Sequence, residues 1–593
     1  MRRVVLGMLC GVLAAAGAAT SGAGTLGRAR ELLHPAVHPV KVAKLDSQLA
    51  ALHSGSVRVE LLAQRPARAK AAIVRQGGRV ETAYGRVIEA RVPARALAAL
   101  ARSRAVRVVR EPVRPVPDAV RGQGVASTGA ALWHKAGVRG DGVKVAVVDV
   151  GFDGYRRSQG TGDLPTSAVK VDFCGHGGFE ASSHGTAVAE IVAEMAPDAK
   201  LYLVCIKDVT GLGLAVAYAQ AHGIAIISHS ASWFNTSRGD GSGGLDTPEG
   251  IVAAARAAGI LWVNAAGNRA QQHWSGPFVD TNANGWNEFV PGDEGNTIAV
   301  QSGGYACAAL KWDDWPASAE DYDLYITSSP GGTVVARSTA AQTGVEPPTE
   351  LACVANSTAV TQSYAIGIRA AHLLTGKPVR FDLFVYPGPN LEYQVAEGSV
   401  TEPGTSASAL TVGATCWQGN GLEPYSSNGP TVDGRVKPDL VGPDSVSSFT
   451  YGPFAGCGMS GFAGTSASTP HVAGAAALVK QANPSFGPAE LQAYLEENAV
   501  DLGAPGKDPA YGSGQLMLAA APRLPLRACV VPAVVGRRLS TARARITHAG
   551  CRVGRVRRAR SKARAGHVAT QHPRPGTRLA PRAHVNLTVS RGR

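Results

Sequence analysis

The chain has 593 residues, too many for one hydrophobic core, so two to four domains are expected. Its 45% hydrophobic content excludes a disordered chain. The net charge of +15 is uneven: basic against acidic residues number 21 to 7 over 1–121, 20 to 37 over 122–520 and 18 to 0 over 521–593. An acidic body is thus flanked by two basic segments, and opposite charge favours docking of the first on the body.

Residues 1–24 read as an export signal. Arg2 and Arg3 precede the apolar run VVLGMLCGVLAAAGAA, and small residues follow. That run is short for a spanning helix and no other candidate appears, so no stable transmembrane segment is expected. Without Cys10, eight cysteines remain, an even number that suggests disulfides in an exported chain. Neighbours in sequence suggest Cys174–Cys205, Cys307–Cys353, Cys416–Cys457 and Cys529–Cys551. No pair has the CxxC spacing of a zinc site.

Within the basic segment 25–121, residues 57–112 alternate strand and helix signals. VRVELLA, GRVETAY, GRVIEARV and AVRVVREP read as strands, and RAKAAIVRQ and PARALAALARS as helices. This is the β-α-β-β-α-β pattern. The Pro- and Gly-bearing stretch VRPVPDAVRGQG reads as an exposed linker.

From residue 143 strands alternate with helices. VKVAVVDVG, AKLYLVCI, IAIISHSAS and ILWVNAAGN are apolar runs of the kind that form central parallel strands. Helical stretches separate them, so an α/β doubly wound parallel sheet is expected over 122–304 and 389–520. Ligands of such sheets bind beyond the strand carboxyl ends. Residues 305–388 interrupt the rhythm with short strands and read as an inserted all-β unit. From about 528 an Arg-rich tail reads as a small α+β module.

Serine attacks a carbonyl only if a base takes its proton and donors hold the oxyanion. Ser466 lies in GTSAST, where Gly464 permits a sharp turn and the helix start offers free N–H groups. Helix capping is the plain alternative for Ser466 and Ser468. His184 in SSHGTAVAEIV opens a helix beside a glycine; His176 and His471 are rivals. Asp149 closes an apolar strand, where a carboxylate is costly without a partner, while Asp153 reads as a loop residue. Asn268 in NAAGN is the amide candidate, better placed than Asn264 within the strand.

VVDVG, HGTAVA and GTSASTPHVAGAAAL together resemble the three signature segments of the subtilisin-like serine proteases, or subtilases. AAGN resembles the family's oxyanion segment, and EPYSSNGPTVDGRVKPDLVGP the stretch before the serine loop. The resemblance spans roughly 122–300 and 395–520. It implies that Asp149 orients His184, that His184 activates Ser466, and that Asn268 and the Ser466 N–H hold the oxyanion. It further implies that SHSAS and NAAG line the pocket for the residue before the cut, through Ser230, Ala231, Ser232, Ala265, Ala266 and Gly267.

The same resemblance makes 57–112 a ferredoxin-like inhibitory prodomain, removed by a cut within about 113–125. The substrates implied are proteins or peptides, and the chemistry needs no cofactor. The insertion resembles β-sandwich modules appended to some secreted peptidases. Its Asp313, Asp314, Asp321 and Asp323 could bind structural calcium, although a solvated turn is the plainer reading because no full ligand loop is visible. The tail 528–593 resembles a PASTA domain, from its V-P-x-V-x-G opening, Ala-Gly-Cys helix end and P-x-P-G turn. Its charge suits an anionic bacterial wall polymer. Nucleic acid is not expected, since no aromatic stacking platform is present. A secreted endopeptidase that the tail could tether to the wall is one reading; an inactive subtilase acting as a wall-binding scaffold is the other. An esterase would need a G-x-S-x-G elbow, and here the serine stands in G-T-S-A-S.

Overall fold

The structure, a computed structural model, describes residues 54–110, 122–175, 177–373, 375–453, 461–522, 529–580 and 583–592, with residues 45, 49 and 457. The expected export signal and most of the expected cut region lie outside these residues. The chain divides into two compact units, Met1–Val116 and Pro117–Arg593.

In the first unit, β1 (Ser56–Ala63), β2 (Arg79–Tyr84), β3 (Val87–Pro93) and β4 (Val106–Arg110) form one antiparallel sheet in the order β2-β3-β1-β4. Helices Pro66–Arg75 and Leu97–Arg102 connect β1 to β2 and β3 to β4. Alternation along β1 sends Val59, Leu61 and Ala63 to one face, where they pack with Ile73 and Leu100.

The second unit is built on β5 (Lys144–Asp149), β6 (Val169–Asp172), β7 (Lys200–Cys205), β8 (Ile226–His229) and β9 (Leu261–Ala265). The strands of an inserted unit follow: β10 (His273–Pro277), β11 (Asn296–Val300), β12 (Tyr305–Trp312), β13 (Glu320–Ser329), β14 (Val334–Ser338), β15 (Thr349–Ala355), β16 (Gln362–Leu373) and β17 (Arg380–Tyr386). Then β18 (Ala409–Cys416) and β19 (Leu440–Asp444) complete a seven-stranded parallel sheet in the order β19-β18-β9-β8-β5-β7-β6. The order reverses beside β5, so the end of that strand is a crevice of the kind where doubly wound sheets bind ligands. β5 is covered on both faces. Val145 and Val147 join the cluster under helices His184–Met195 and Thr465–Ala482, while Ala146 and Val148 join the cluster under Val209–His222 and Pro248–Ala257. This two-sided burial is why its sequence is a continuous apolar run.

The insertion begins earlier than residue 305. β10 and β11 are edge strands of its two four-stranded sheets, β10-β17-β12-β15 and β11-β16-β13-β14, which share a core of Leu310, Trp312, Tyr322, Ile366 and Phe381. HWSGP and NTIAV are five residues each. Strands so short carry too little alternation to be told from loop or from parallel-sheet strand.

The tail places helix Leu539–His548 with β20 (Cys529–Val530), β21 (Arg552–Ala559), β22 (Val568–His572), β23 (Arg578–Leu579) and β24 (His584–Ser590). The four cysteine pairs expected from sequence are the four disulfides. Cys307–Cys353 joins directly opposed residues of β12 and β15. Among the described residues no helix is long and apolar enough to cross a membrane.

Candidate active site

Asp149 ends β5 fully buried. Both its oxygens lie 2.9 Å from His184 Nδ1, and Oδ1 also accepts the Val150 N–H at 2.8 Å. A carboxylate accepts only, so Nδ1 carries the proton and the neutral ring keeps Nε2 as an acceptor. His184 is the first residue of its helix, and the helix start comes this close to β5 because Gly185 follows. A Cβ there would stand 2.5 Å from the Gly151 carbonyl and 2.8 Å from Asp149 Cβ. Burial depresses the imidazole pKa, but the charge and hydrogen bond of Asp149 outweigh it and hold the pKa above its ordinary 6.5. The Phe462 ring meets the imidazole edge-on at 5.7 Å.

Ser466 is the second residue of helix Thr465–Ala482. Gly464 before it has φ +116°, and a Cβ there would lie 2.8 Å from Asn268 Nδ2. Asn268 Oδ1 accepts the Thr465 N–H and hydroxyl, each at 2.9 Å, which leaves the amide NH₂ as the donor for the cleft that Asn268 lines. The Ser466 N–H lies in the first turn, where the helix supplies no acceptor. His184, Asn268 and Ser466 border one cleft of about 560 Å³.

The expected bridge from imidazole to hydroxyl is not closed. Ser466 Oγ donates to the Ser230 carbonyl at 3.3 Å, and among the described residues no hydrogen bond joins Ser466 to His184. Such bonds are often loose before substrate is bound.

Of the expected pocket residues, Ser230, Ser232, Ala265 and Gly267 line the cleft; Ala231 and Ala266 do not. Successive residues of an extended segment face opposite sides, which a list of consecutive positions ignores. Ala266 is fully buried, its N–H donated to Val412 and its carbonyl accepting from Thr401. The rivals stand elsewhere. His471 is buried against the Ala467 carbonyl and pushed down to about 4 by burial. Asp153 is exposed, Asn264 is buried beneath Trp262 and His229, and His176 lies outside the described residues. Five lining residues escaped the sequence: Trp233, Phe234, Arg269, Tyr386 and Thr465. Arg269, next to Asn268, could have been found from that adjacency. Tyr386 comes from β17 of the insertion and gave no local signal.

The four acids of the calcium reading do not converge. Asp313 accepts the Arg380 N–H, Asp314 pairs with Lys377 at 2.7 Å, Asp321 accepts the Gln342 N–H and Asp323 accepts the Tyr325 hydroxyl. None belongs to a cluster of three metal-ligating groups among the described residues.

The subtilase family profile matches residues 140–304 and 383–514, half of the chain, and the PASTA profile matches residues 530–591. Subtilisin Savinase of Lederbergia lenta is 39% identical over 126 residues, 21% of this chain and 42% of that protein. Minor extracellular protease Vpr of Bacillus subtilis strain 168 is 25% identical over 416 residues, 62% of this chain and 49% of that protein. The chain thus spans less than half the length of either relative. A solved structure of the Clostridium perfringens CspB protease aligns over 67% of this chain and 97% of its own, at 16% identity and a TM-score of 0.47. The strand order around Asp149 and the two-part profile match, interrupted where the insertion lies, lead to one assignment: the chain belongs to the subtilase family and carries a C-terminal PASTA domain.

Proposed function

We propose that this protein is a serine endopeptidase in which Asp149, His184 and Ser466 act as one unit. His184 Nε2 takes the Ser466 proton as Oγ attacks the substrate carbonyl. Asp149 holds the ring in the tautomer this needs and stabilises the imidazolium. The Asn268 amide and the Ser466 N–H receive the oxyanion. The imidazolium then protonates the leaving amine, and water releases the acyl group by the same steps reversed. The observation that carries this reading is His184, held 2.9 Å from the buried Asp149 and bordering the same cleft as Ser466 and Asn268. Digestion of denatured casein tests it. The wild type cleaves, and Ser466→Ala does not; equal digestion by both contradicts the reading.

The protein is made with an export signal at 1–24 and a ferredoxin-like inhibitory segment at 57–112, cut from the body within about 113–125. Support comes from the sheet order β2-β3-β1-β4 and from Gly122, whose N–H is held 2.9 Å from both Glu194 carboxylate oxygens at the start of the body. N-terminal sequencing of active secreted enzyme should begin in that window. Active enzyme retaining residues 57–112 contradicts it. The PASTA-bearing tail, with 18 basic and no acidic residues over 521–593, binds an anionic wall polymer; salt-sensitive retention on purified cell wall, lost on deleting 528–593, is the expected result.

A further inference from the structure

Among the described residues the cleft is lined by one permanent cation and no acid. Arg269 directly follows Asn268 and borders the same space as Ser466, and no carboxylate lines that space. No carboxylate pairs with Arg269 among the described residues; its Nε is buried without a hydrogen-bond partner, and Nη1 donates to Gln272 Oε1. Its guanidinium carbon lies 5.5 Å over the Phe234 ring, which stacks on Tyr386 at 4.2 Å and 7°. The charge is therefore held on an aromatic shelf, one half of which comes from the parallel-sheet body and the other from β17 of the insertion. Burial pushes the group down to about 10, which leaves it charged at neutral pH. A half-buried guanidinium without an acid is costly, and its planar fork suits a carboxylate.

We infer that Arg269 selects substrates bearing an acidic side chain, Glu or Asp, at the residue before the cut. The inference rests on the peptidase reading above. The aromatic shelf carries the alkyl part of that side chain, and its carboxylate supplies the partner that Arg269 lacks. A lysine at the same position meets a like charge, and a neutral side chain leaves the guanidinium as unpaired as before.

Peptides identical except for Glu, Gln, Leu or Lys before the cut test this on the mature enzyme. Glu and Gln have the same shape, so their kcat/KM ratio isolates the charge. In the wild type Glu should exceed Gln by about tenfold or more, with Lys cleaved slowest. Arg269→Gln should bring the Glu-to-Gln ratio to about one, Arg269→Lys should retain most of it, and Arg269→Glu should place Lys above Glu. Active-site labelling by a fluorophosphonate confirms that each variant is folded. A wild type that turns over Leu or Gln as well as Glu, or a ratio unmoved by Arg269→Gln, overturns the inference while leaving the peptidase reading intact. No turnover of any peptide and no labelling of the wild type overturn both.

Discussion

Two acid–base pairs invite comparison, one at the end of the parallel sheet and one where the insertion joins the body. Asp149 and His184 meet at the mouth of β5 at 2.9 Å. Lys311 of β12 meets Glu402, just before β18, at 2.6 Å. In both, burial opposes the charged form and the partner outweighs it, holding the His184 and Lys311 pKa values above their ordinary positions. The difference lies in what the second member can still do. Lys311 also donates to the Ser237 carbonyl, and Glu402 also accepts from the Thr236 N–H and hydroxyl, so the pair is closed on itself. His184 spends one nitrogen on Asp149 and borders the cleft. A buried charge points to chemistry only when its partner keeps a donor or acceptor facing a space a substrate can enter.

The comparison breaks first if Ser466→Ala spares turnover. Its expected effect is the largest, a fall in kcat of about 10⁴–10⁶ with thermal stability nearly unchanged, read by peptide kinetics beside calorimetry. Lys311→Met should do the reverse. It leaves Glu402 buried without its cation and should cost about 3–5 kcal/mol in denaturant unfolding, most of it recovered in Lys311→Met with Glu402→Gln. Asn268→Ala should lower kcat by about 10²–10³ while KM changes little; parallel changes in both would assign Asn268 to substrate binding instead.

The pH profile sharpens the contrast at the smallest scale. In the proposed mechanism neutral His184 is the competent form, so activity should fall as pH drops through a midpoint above 6.5, and Asp149→Asn should move the residual activity's midpoint lower. The linked stability has the opposite sense. With a folded pKa raised above the unfolded value, the His184 contribution is complete below about 6.5 and is lost as pH rises through the folded value. Lys311, raised from 10.5, gives no such change near neutrality.

Much of this was readable from the sequence because the relevant residues break local rules. An Asp at the end of VKVAVVD, a His at a helix start beside glycine, and a Gly-Thr-Ser entry to an apolar helix each sit where packing alone would favour other residues. The parallel strands were readable because two-sided burial makes them apolar throughout. What escaped depends on distance or direction. Tyr386 reaches Phe234 across more than a hundred residues and a separate sheet. Ala231 and Ala266 sit next to lining residues but do not line the cleft themselves. The edge strands β10 and β11 take their identity from their partners β17 and β16, which sequence spacing cannot supply. The Ser466 hydroxyl bond to the Ser230 carbonyl likewise depends on side-chain geometry and carries no sequence signal.

The most direct test is the rate of fluorophosphonate labelling followed by mass spectrometry of the intact protein and its peptides. If Asp149, His184 and Ser466 work as a unit, the wild type takes up one adduct, on Ser466, and His184→Ala slows uptake by several orders of magnitude. An adduct on another residue, or uptake as fast without the imidazole, would contradict it.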